Sequence, residues 1–237
     1  MTTKDTGQVY VFEKLEKSCL EHRVFSSARW VKNELKRIRE QREELVKEHE
    51  FLTSVLKDCR DKWSNILDFG GSLGAASYAL NTEFSEKEFT YTVLETSEIC
   101  EAGKIIHDAS NVLFLDSLDK IENKIDVVYL RTSLQYTLCW KKTLLSLCNL
   151  SPRMLVFDHL SSGEVSTTQI AQNYYGLKIP YWVISSDELT SALSGMGYKC
   201  NDIEKCQDFS IDMFDPGVPE KSRIRHSIRL IATRKNI

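Results

Sequence analysis

The sequence predicts an α/β protein in which a seven-stranded, mostly parallel sheet with an antiparallel edge follows a helical extension. Three observations predict this class. From Trp63 onward, short apolar runs alternate with helical patterns, which is typical of a parallel sheet covered by helices. A glycine-rich turn follows the first run, and the last two runs have no long helix between them. We place the extension at residues 1–62 and the sheet domain at residues 63–237.

The extension is rich in charge and contains no Pro or Gly between Ser26 and Arg60. Apolar residues recur there at steps of mostly three, four and seven, which predicts one long amphipathic helix. Ser26 or Ser27 is placed to cap its start, and a shorter helix is predicted around residues 9–22. The charged face is typical of a solvated surface, with a dimer contact or a lid over a site as alternatives.

The strands of the sheet domain are predicted in the segments SNILDF, FTYTVLE, NVLFLD, KIDVVYL, RMLVFDHL, KCNDIEKC and IRHSIRLIAT. A helix that starts at Ser185 or Ser186 carries a capping box and ends near Gly195 and Gly197. The stretch 160–181 has few periodic apolar residues and is assigned neither strand nor helix.

Composition and charge exclude several classes of protein. A formal net charge of −3 and a pI near 6.0 give no electrostatic footprint for nucleic acid. No stretch approaches the ~20 apolar residues of a membrane span, and the first residues lack an apolar signal core. The cysteines form no CxxC pair and have no histidine at finger-like spacing. We therefore expect a soluble, cytoplasmic protein with reduced thiols and no metal site.

The segment Asp68-Phe69-Gly70-Gly71-Ser72-Leu73-Gly74 joins the first strand to a helix. Ligands of open α/β sheets bind outside the carboxyl ends of the strands, where the strand order reverses. Glycines let the backbone approach a ligand closely, and a helix N-terminus presents free N–H groups to an anion. A dinucleotide GxGxxG template that starts at Gly70 meets Ser72 at its second glycine, and the P-loop template fails because its Lys is missing.

The spacing instead resembles the first motif of the class I S-adenosylmethionine-dependent methyltransferases, which has an acidic residue, an apolar residue and glycines at alternate positions. Asp68, Gly70 and Gly74 match that motif, and Gly71 stands one place before its middle glycine. The resemblance implies a Rossmann-like class I methyltransferase fold and S-adenosyl-L-methionine as the cofactor.

Glu95 ends the second strand, where a carboxylate can accept two hydrogen bonds from a ribose diol. In the resembled family this residue binds the ribose of the cofactor, the position of Asp116 and Ser117 often contacts the adenine amine, and the end of YLRTSLQYT lies beside the methyl donor. The cofactor-binding residues predicted on this basis are Asp68, Phe69, Gly70, Gly71, Gly74, Glu95, Thr96, Asp116, Ser117 and Ser133. Taken singly, the glycines also fit a tight turn, Glu95 a solvated strand end and Asp116 a helix cap.

A finer resemblance rests on DFGGSLG, VLETSE, SLQY, VFD followed by TTQ, and IPYWVISSDEL. These segments are similar to a family of bacterial methyltransferases associated with the biosynthesis of surface polysaccharides, including O-antigen and capsule. The similarity covers roughly residues 63–235. It implies an enzyme that methylates an oxygen of a sugar, with a saccharide, nucleotide-sugar or glycan acceptor as its partner.

Methyl transfer to an alcohol is assisted by a positioned base. His159 is the candidate because it follows the fifth strand at the ligand-bearing edge, and Asp158 either orients it or acts as the base itself. The predicted acceptor contacts are Arg131, Gln135, Tyr136, Gln169 and Tyr175, since polar groups among aromatic rings suit a sugar and an arginine suits an anion. A packing role for His159 and a structural ion pair for Arg131 are the alternatives.

Two other functions stay open from the sequence. One is a nicotinamide-dependent, sugar-modifying enzyme, which the broken GxGxxG disfavours. The other is a catalytically degenerate methyltransferase fold that serves as a binding or scaffold protein through its long N-terminal helix. A homodimer through that helix is a further hypothesis, and neither nucleic acid nor an integral membrane segment is expected.

Overall fold

The computed structural model describes residues 12–14, 25, 27–59, 62–107, 111–174, 177–206 and 212–235. The helices among them are α1 (Ala28–Glu40), α2 (Arg42–Glu48), α3 (Glu50–Lys57), α4 (Ala76–Glu83), α5 (Ser97–Ile106), α6 (Trp140–Asn149) and α7 (Ser186–Gly195). The strands are β1 (Phe12–Lys14), β2 (Asn65–Phe69), β3 (Thr90–Leu94), β4 (Val112–Leu115), β5 (Val127–Arg131), β6 (Met154–Leu160), β7 (Ser162–Gly163), β8 (Thr168–Tyr174), β9 (Leu177–Ser185), β10 (Tyr198–Cys200), β11 (Glu204–Cys206) and β12 (Ser227–Arg234).

The main sheet has the order β10-β12-β6-β5-β2-β3-β4, with β11 paired to β12. The strands from β2 to β6 pair in parallel with one another, whereas β12 is antiparallel to β6, β10 and β11. This arrangement confirms the parallel sheet with an antiparallel edge. The segment KCNDIEKC forms two short strands rather than one, so the sheet has eight strands instead of seven. The strand order reverses between β2 and β5, and a crevice opens at their carboxyl ends.

Both faces of the main sheet are covered. Ile66 and Leu67 are successive residues of β2 and both are fully buried, in two different apolar clusters. The cluster around Leu67 includes residues of α6 and α7, and the cluster around Ile66 includes residues of α3 and α4. Burial on both faces explains why the parallel strands are almost continuously apolar in the sequence.

The predicted long N-terminal helix is wrong as a single element. Ser27 caps α1 by accepting a hydrogen bond from the Trp30 N–H at 3.3 Å, but the helix is interrupted at Gln41 and at His49. The apolar residues of α1 and α2 pack with Leu73 and Ile99, whereas those of α3 join the cluster under β2. Because two separate surfaces bury one apolar stripe, the chain turns between three shorter helices.

A second sheet has the order β1-β8-β9-β7. Most of it lies in the stretch 160–181, for which the sequence predicts neither strand nor helix; β1 joins it from the extension, and β9 continues to Ser185. β8 and β9 are antiparallel, and their interior includes Gln172, which is 0% exposed. A polar residue at an interior position removes the apolar alternation by which a strand is recognised. Over residues 12–14 the predicted short helix is wrong, since β1 pairs there with β8, and the rest of that prediction lies outside the described residues.

The predicted capping of α7 is confirmed, because the Ser185 hydroxyl accepts a hydrogen bond from the Glu188 N–H at 3.4 Å. In the part of the chain that the structure describes, every helix is too short or too polar to cross a bilayer.

Candidate functional site

A cleft of about 800 Å³ opens at the carboxyl edge of the main sheet. The sheet wall of this cleft comprises the lining residues of the loops after β2, β3 and β5: Asp68, Phe69, Gly70, Gly71, Ser72, Ala75, Glu95, Thr96, Arg131, Thr132 and Ser133. The N-terminal wall comprises Phe25, Trp30, Glu34, Arg37, Glu48 and His49. Residues 136–139, Lys142, Thr143 and Tyr174 complete the lining.

Two glycines of the sheet wall are required by close approaches. A Cβ at Gly70 would lie 2.7 Å from the Ser133 Cβ, so this glycine lets the loops after β2 and β5 meet. A Cβ at Gly71 would lie 2.3 Å from the Asp68 Oδ2. The next residue, Ser72, adopts a left-handed conformation with φ of 55°. Glycine is required at position 71, and not at position 72 as in the resembled motif, because the Asp68 carboxylate leaves no room for a side chain at position 71.

The Glu95 carboxylate is fixed by the backbone of the sheet wall. Its Oε1 accepts a hydrogen bond from the Ser72 N–H and its Oε2 accepts one from the Thr96 N–H, both at 3.1 Å. Burial raises the pKa of Glu95, and the two N–H donors oppose that shift. The carboxylate therefore bridges the loops after β2 and β3, with further lone pairs left for a ligand.

Asp68 lies beneath the glycine turn and is 3% exposed. Its carboxylate accepts a hydrogen bond from the Tyr91 hydroxyl. Burial raises the pKa of Asp68 to about 7; the Glu95 charge adds to the shift, and the Tyr91 hydrogen bond and Arg131 oppose it. A carboxyl group of this kind exchanges its proton near neutral pH.

Three hydroxyl groups of the sheet wall are buried without a hydrogen-bond partner among the described residues. They are the Ser72 Oγ, the Thr96 Oγ1 and the Ser133 Oγ, one from each of the three loops. Nearly all buried polar atoms in folded proteins have a partner, so hydroxyls without one at a cleft indicate a bound ligand or water. Thr132 adds strain, because a β-branched residue rarely adopts its φ of 49°.

Asp158 is a buried anion held by two arginines. Its carboxylate accepts hydrogen bonds from the Arg229 Nε at 2.8 Å and the Tyr129 hydroxyl at 3.0 Å, and the Arg131 Nε lies 3.3 Å away. Asp158 is 0% exposed and does not line the cleft. Its carboxylate thus orients Arg131, which does line the cleft.

The N-terminal wall combines charges with aromatic rings. Glu48 forms ion pairs with Arg37 and with Arg131 at 3.8 Å, which links the extension to the end of β5. The Phe25 ring lies 5.9 Å from Trp30, 5.2 Å from Tyr136 and 5.7 Å from Tyr174, measured between ring centroids. This part of the cleft therefore offers apolar ring faces beside paired charges.

The architecture has counterparts among solved structures. The 1,6-didemethyltoxoflavin-N1-methyltransferase of Burkholderia thailandensis, solved with S-adenosylhomocysteine, has a TM-score of 0.55 at 13% identity over 95% of each chain. The magnesium protoporphyrin IX methyltransferase of Synechocystis PCC 6803, solved with SAH, has a TM-score of 0.52 at 11% identity, with 80% of this chain and 83% of that chain covered.

A third similar structure, an S-adenosylmethionine-dependent methyltransferase of Mesorhizobium loti, has a TM-score of 0.51 at 12% identity, with 77% of this chain and 96% of that chain covered. The chain has the class I methyltransferase fold. No protein family model and no curated protein matches the sequence. The likeness therefore lies in the fold, and the class I architecture is confirmed at identities too low to carry an activity.

Within this class I fold, the cleft brings together many of the residues predicted from the sequence: Asp68, Phe69, Gly70, Gly71, Glu95, Thr96, Arg131, Ser133 and Tyr136. The predicted residues that do not line it are Gly74, Asp116, Ser117, Gln135, Asp158, His159 and Gln169. Tyr175 lies outside the described residues.

The residues outside the cleft have structural partners. Asp116 forms an ion pair with Lys120 at 2.6 Å, which lowers the pKa of Asp116, and the Ser117 hydroxyl accepts a hydrogen bond from the Asp119 N–H. The Gln135 side-chain amide donates to the His159 carbonyl oxygen at 3.4 Å. The Gln169 side-chain amide likewise donates a hydrogen bond to the Leu138 carbonyl oxygen.

Gly74 belongs to the glycine turn but does not line the cleft. It has a φ of 77°, and a Cβ there would lie 3.1 Å from both the His107 Nε2 and the Phe114 Cζ. Glycine is thus required by conformation and by space, without contact with the cleft.

His159 has a different place from the one expected of a base. It adopts a left-handed conformation with φ of 53° next to an irregularity in the pairing of β12 with β6, and its Nδ1 lies 3.0 Å from the Ser227 hydroxyl. Its side chain is buried and does not border the cleft, so the geometry does not support His159 as the group that contacts an acceptor.

None of the residues of the N-terminal wall, His49 included, is among the site residues predicted from the sequence, although a lid over a site is one of the alternatives for the extension. The signal was present, because His49 follows Leu45 by four residues and precedes Leu52 by three, which places it on the apolar stripe of the helical pattern. Among the described residues, no group of three or more His, Cys, Asp or Glu side chains is arranged to hold a metal ion.

Proposed function

We propose that this chain is an S-adenosylmethionine-dependent methyltransferase. The observation that carries the proposal is the sheet wall, where Glu95 is fixed by two backbone N–H groups beside three buried hydroxyls without a partner among the described residues. Such a set of groups is complementary to a polar ligand with a diol. The class I fold supports the same ligand, since two similar structures were solved with SAH.

The hydrogen-bonding groups of the sheet wall, and the room that its glycines leave, fit an adenosyl group. The Glu95 carboxylate would accept hydrogen bonds from the ribose diol, and Gly70 and Gly71 keep the backbone free of side chains beside it. The hydroxyls of Ser72, Thr96 and Ser133 supply the remaining hydrogen bonds. When bound, S-adenosylmethionine supplies a methyl group on a sulfonium: the acceptor atom bonds to that carbon, sulfur keeps the electron pair of the broken bond, and the acceptor's proton is released to water.

The acceptor that we propose is a sugar or saccharide intermediate of bacterial surface-polysaccharide biosynthesis, methylated on oxygen. The sequence resemblance supports this class, and so does the cluster of Phe25, Trp30, Tyr136 and Tyr174, because aromatic faces pack against the apolar faces of sugar rings. Arg131, oriented by Asp158, suits a negatively charged group such as the phosphate of a nucleotide sugar.

Several sequence-based expectations belong to this proposal. They are a cytoplasmic location, a homodimer through the N-terminal helices, and a division of the chain into an extension (1–62) and a methyltransferase domain (63–237). Asp158 enters the proposal as the anion that orients Arg131, whereas His159 is left out because its ring is bonded to Ser227 away from the cleft.

Calorimetric titration with S-adenosylmethionine, S-adenosylhomocysteine and NAD tests the cofactor. We expect the first two to bind at the same site and NAD not to bind. Binding of NAD alone would identify a nicotinamide-dependent enzyme, and binding of none of the three would identify a scaffold protein. Either result overturns the proposal.

Transfer of a deuterated methyl group to extracted polysaccharide intermediates, detected by mass spectrometry, tests the acceptor. We expect the label on an oxygen of a saccharide. Label found only in molecules without sugar would overturn the acceptor class and leave the methyltransferase proposal standing.

A further inference from the structure

His49 is a buried imidazole between two helices of the extension. It follows the last residue of α2 and precedes the first residue of α3, with non-helical dihedral angles of −107° and 13°. The residue is 6% exposed and belongs to the lining of the cleft. It is the histidine of the N-terminal wall, and it has no assigned role in the proposed function.

A chain of hydrogen bonds fixes one edge of the His49 ring. The Nδ1 lies 3.1 Å from the Tyr129 hydroxyl, and that hydroxyl donates its proton to the Asp158 Oδ2 at 3.0 Å. The other Asp158 oxygen accepts from the Arg229 Nε at 2.8 Å. Asp158 is paired with Arg229 and Arg131 and is acceptor-only as a carboxylate, so the single Tyr129 proton points toward it.

The direction of the hydrogen bonds from Tyr129 to Asp158 determines the tautomer of His49. Because the Tyr129 hydroxyl has already given its proton to Asp158, it can only accept from His49. The proton of the neutral imidazole therefore sits on Nδ1, and the lone pair sits on Nε2. The two ring nitrogens point away from each other, so Nε2 is turned away from Tyr129.

Burial and two nearby arginines keep His49 neutral. Burial is the main cause that lowers the pKa of His49 to about 3, and the charges of Arg131 and Arg37 lower it further. Glu48, the carboxylate next to it in the chain, is engaged by the same two arginines. The lone pair of Nε2 is thus available at neutral pH, and none of the residues that the structure describes offers Nε2 a hydrogen-bond donor.

We propose that the Nε2 of His49 accepts a hydrogen bond from the O–H or N–H group that is methylated. This inference rests on the proposed function and narrows it: the acceptor carries its nucleophilic atom as a protic hydroxyl or amino group. A weakly basic nitrogen orients such a group and does not retain its proton. The hydrogen bond orients the nucleophile, which is a contribution from positioning.

The tautomer is testable by NMR of protein labelled with ¹⁵N-histidine. We expect the His49 Nε2 signal at the position of an unprotonated ring nitrogen and unchanged between about pH 5.5 and pH 8. Tyr129→Phe removes the acceptor of the Nδ1 proton, and we expect a mixture of tautomers in that variant. A wild-type signal that shows the proton on Nε2, or that titrates near the ordinary value of 6.5, overturns the proposal.

The signal is assigned by its loss in His49→Gln. If that variant does not fold, single substitutions of the other histidines assign it by elimination. His226→Gln is the matched control, because His226 is a half-buried histidine outside the cleft, and the His49 signal must be the same in it.

The contact itself is testable with pairs of probes on protein saturated with S-adenosylhomocysteine. Methyl α-glucopyranoside is compared with its fully O-methylated form, phenol with anisole, and aniline with N,N-dimethylaniline. We expect at least one donor-bearing probe to shift the Nε2 signal while its alkylated partner does not. Equal shifts within every pair, or no shift with any probe, overturn the proposal.

Failure of this inference is distinct from failure of the proposed function. If the protein binds neither S-adenosylmethionine nor S-adenosylhomocysteine, the proposed function is contradicted, whatever the tautomer of His49. Protein that binds both and carries its imidazole proton on Nε2 contradicts only the role of His49.

Discussion

The two walls of the cleft are built in different ways. The sheet wall consists of three short loops at the ends of neighbouring parallel strands, and its shape comes from the backbone: glycines without room for a Cβ, residues in left-handed conformations and a carboxylate held by N–H groups. The N-terminal wall consists of side chains carried by helices, and its charges are paired with each other and with Arg131 of the sheet wall. This difference fits the proposed function, in which the sheet wall would hold the cofactor and the N-terminal wall would contact the acceptor.

The largest expected effect comes from Gly71→Ala in the sheet wall. The new Cβ would lie 2.3 Å from the Asp68 Oδ2, so the turn has to move. We expect S-adenosylhomocysteine affinity to fall about 100-fold and the free energy of unfolding to fall by about 1–3 kcal/mol, by calorimetry and urea unfolding. Gly195→Ala is the control, since no atom lies within 4 Å of its new Cβ. Equal behaviour of the two variants would show that the turn is not crowded.

Glu95→Gln, which removes the charge, has the next largest expected effect on cofactor affinity. An amide keeps the shape but cannot accept from both N–H groups and a diol at once. We expect S-adenosylhomocysteine affinity to fall about 10- to 100-fold, the range for hydrogen bonds to a charged group. Glu101→Gln, an exposed residue of α5, serves as the control. An unchanged dissociation constant for the Glu95 variant would remove the ribose role.

The contribution of Asp68, the buried carboxyl group of the sheet wall, to stability depends on pH. The pKa of Asp68 is raised from 3.8 to about 7, so the folded chain holds its proton more tightly than the unfolded chain. The contribution of Asp68 to stability is therefore present below pH 3.8 and lost as the pH rises through about 7.

Asp68→Asn does not titrate, and we expect its stability relative to wild type to rise by about 2–4 kcal/mol between pH 4 and pH 8. Urea unfolding at a series of pH values measures this difference. A difference that stays constant with pH would mean that Asp68 is charged throughout.

The smallest expected effect belongs to the N-terminal wall. Glu48→Gln weakens the ion pairs with Arg37 and Arg131 that join the extension to β5. These groups are half-buried, and we expect a loss of about 0.5–1 kcal/mol in the free energy of unfolding, with a smaller loss of cofactor affinity than in Glu95→Gln. Glu40→Gln breaks an exposed pair with Lys36 and is the control. A Glu48 variant as affinity-impaired as the Glu95 variant would contradict the division of labour between the walls.

The parts of the sheet wall that could be predicted share one property. Gly70, Gly71 and Glu95 lie at strand ends, and consecutive parallel strands bring their carboxyl ends to one edge. Their position follows from the order of elements along the chain, so local pattern suffices. Asp116 follows the same rule in the sequence but is paired with Lys120 and does not line the cleft, because order does not determine where a side chain points.

The helix breaks that shape the N-terminal wall could not be predicted from local pattern. The helical periodicity of residues 26–60 is genuine, but the breaks at Gln41 and His49 carry no Gly or Pro that would reveal them. They arise because Leu45 packs with Leu73 and Ile99, whereas Leu52 and Leu56 pack beneath the sheet. Such contacts join residues that are distant in the sequence.

The choice between His159 and His49 shows the same limit. Both histidines are buried, and the sequence favours His159 because it follows a strand at the ligand-bearing edge. The irregular pairing of β12 with β6 and the left-handed backbone of His159 turn its ring to Ser227, while Tyr129 and Asp158 fix the ring of His49 at the cleft.

By itself the sequence determined the alternation of strands and helices, the parallel sheet and the glycine turn with its facing carboxylate, because these follow from periodicity and from backbone freedom at single positions. Only the tertiary structure decided which side chains enter the cleft, since burial, ion pairing and hydrogen bonding act between groups that the chain brings together from far apart.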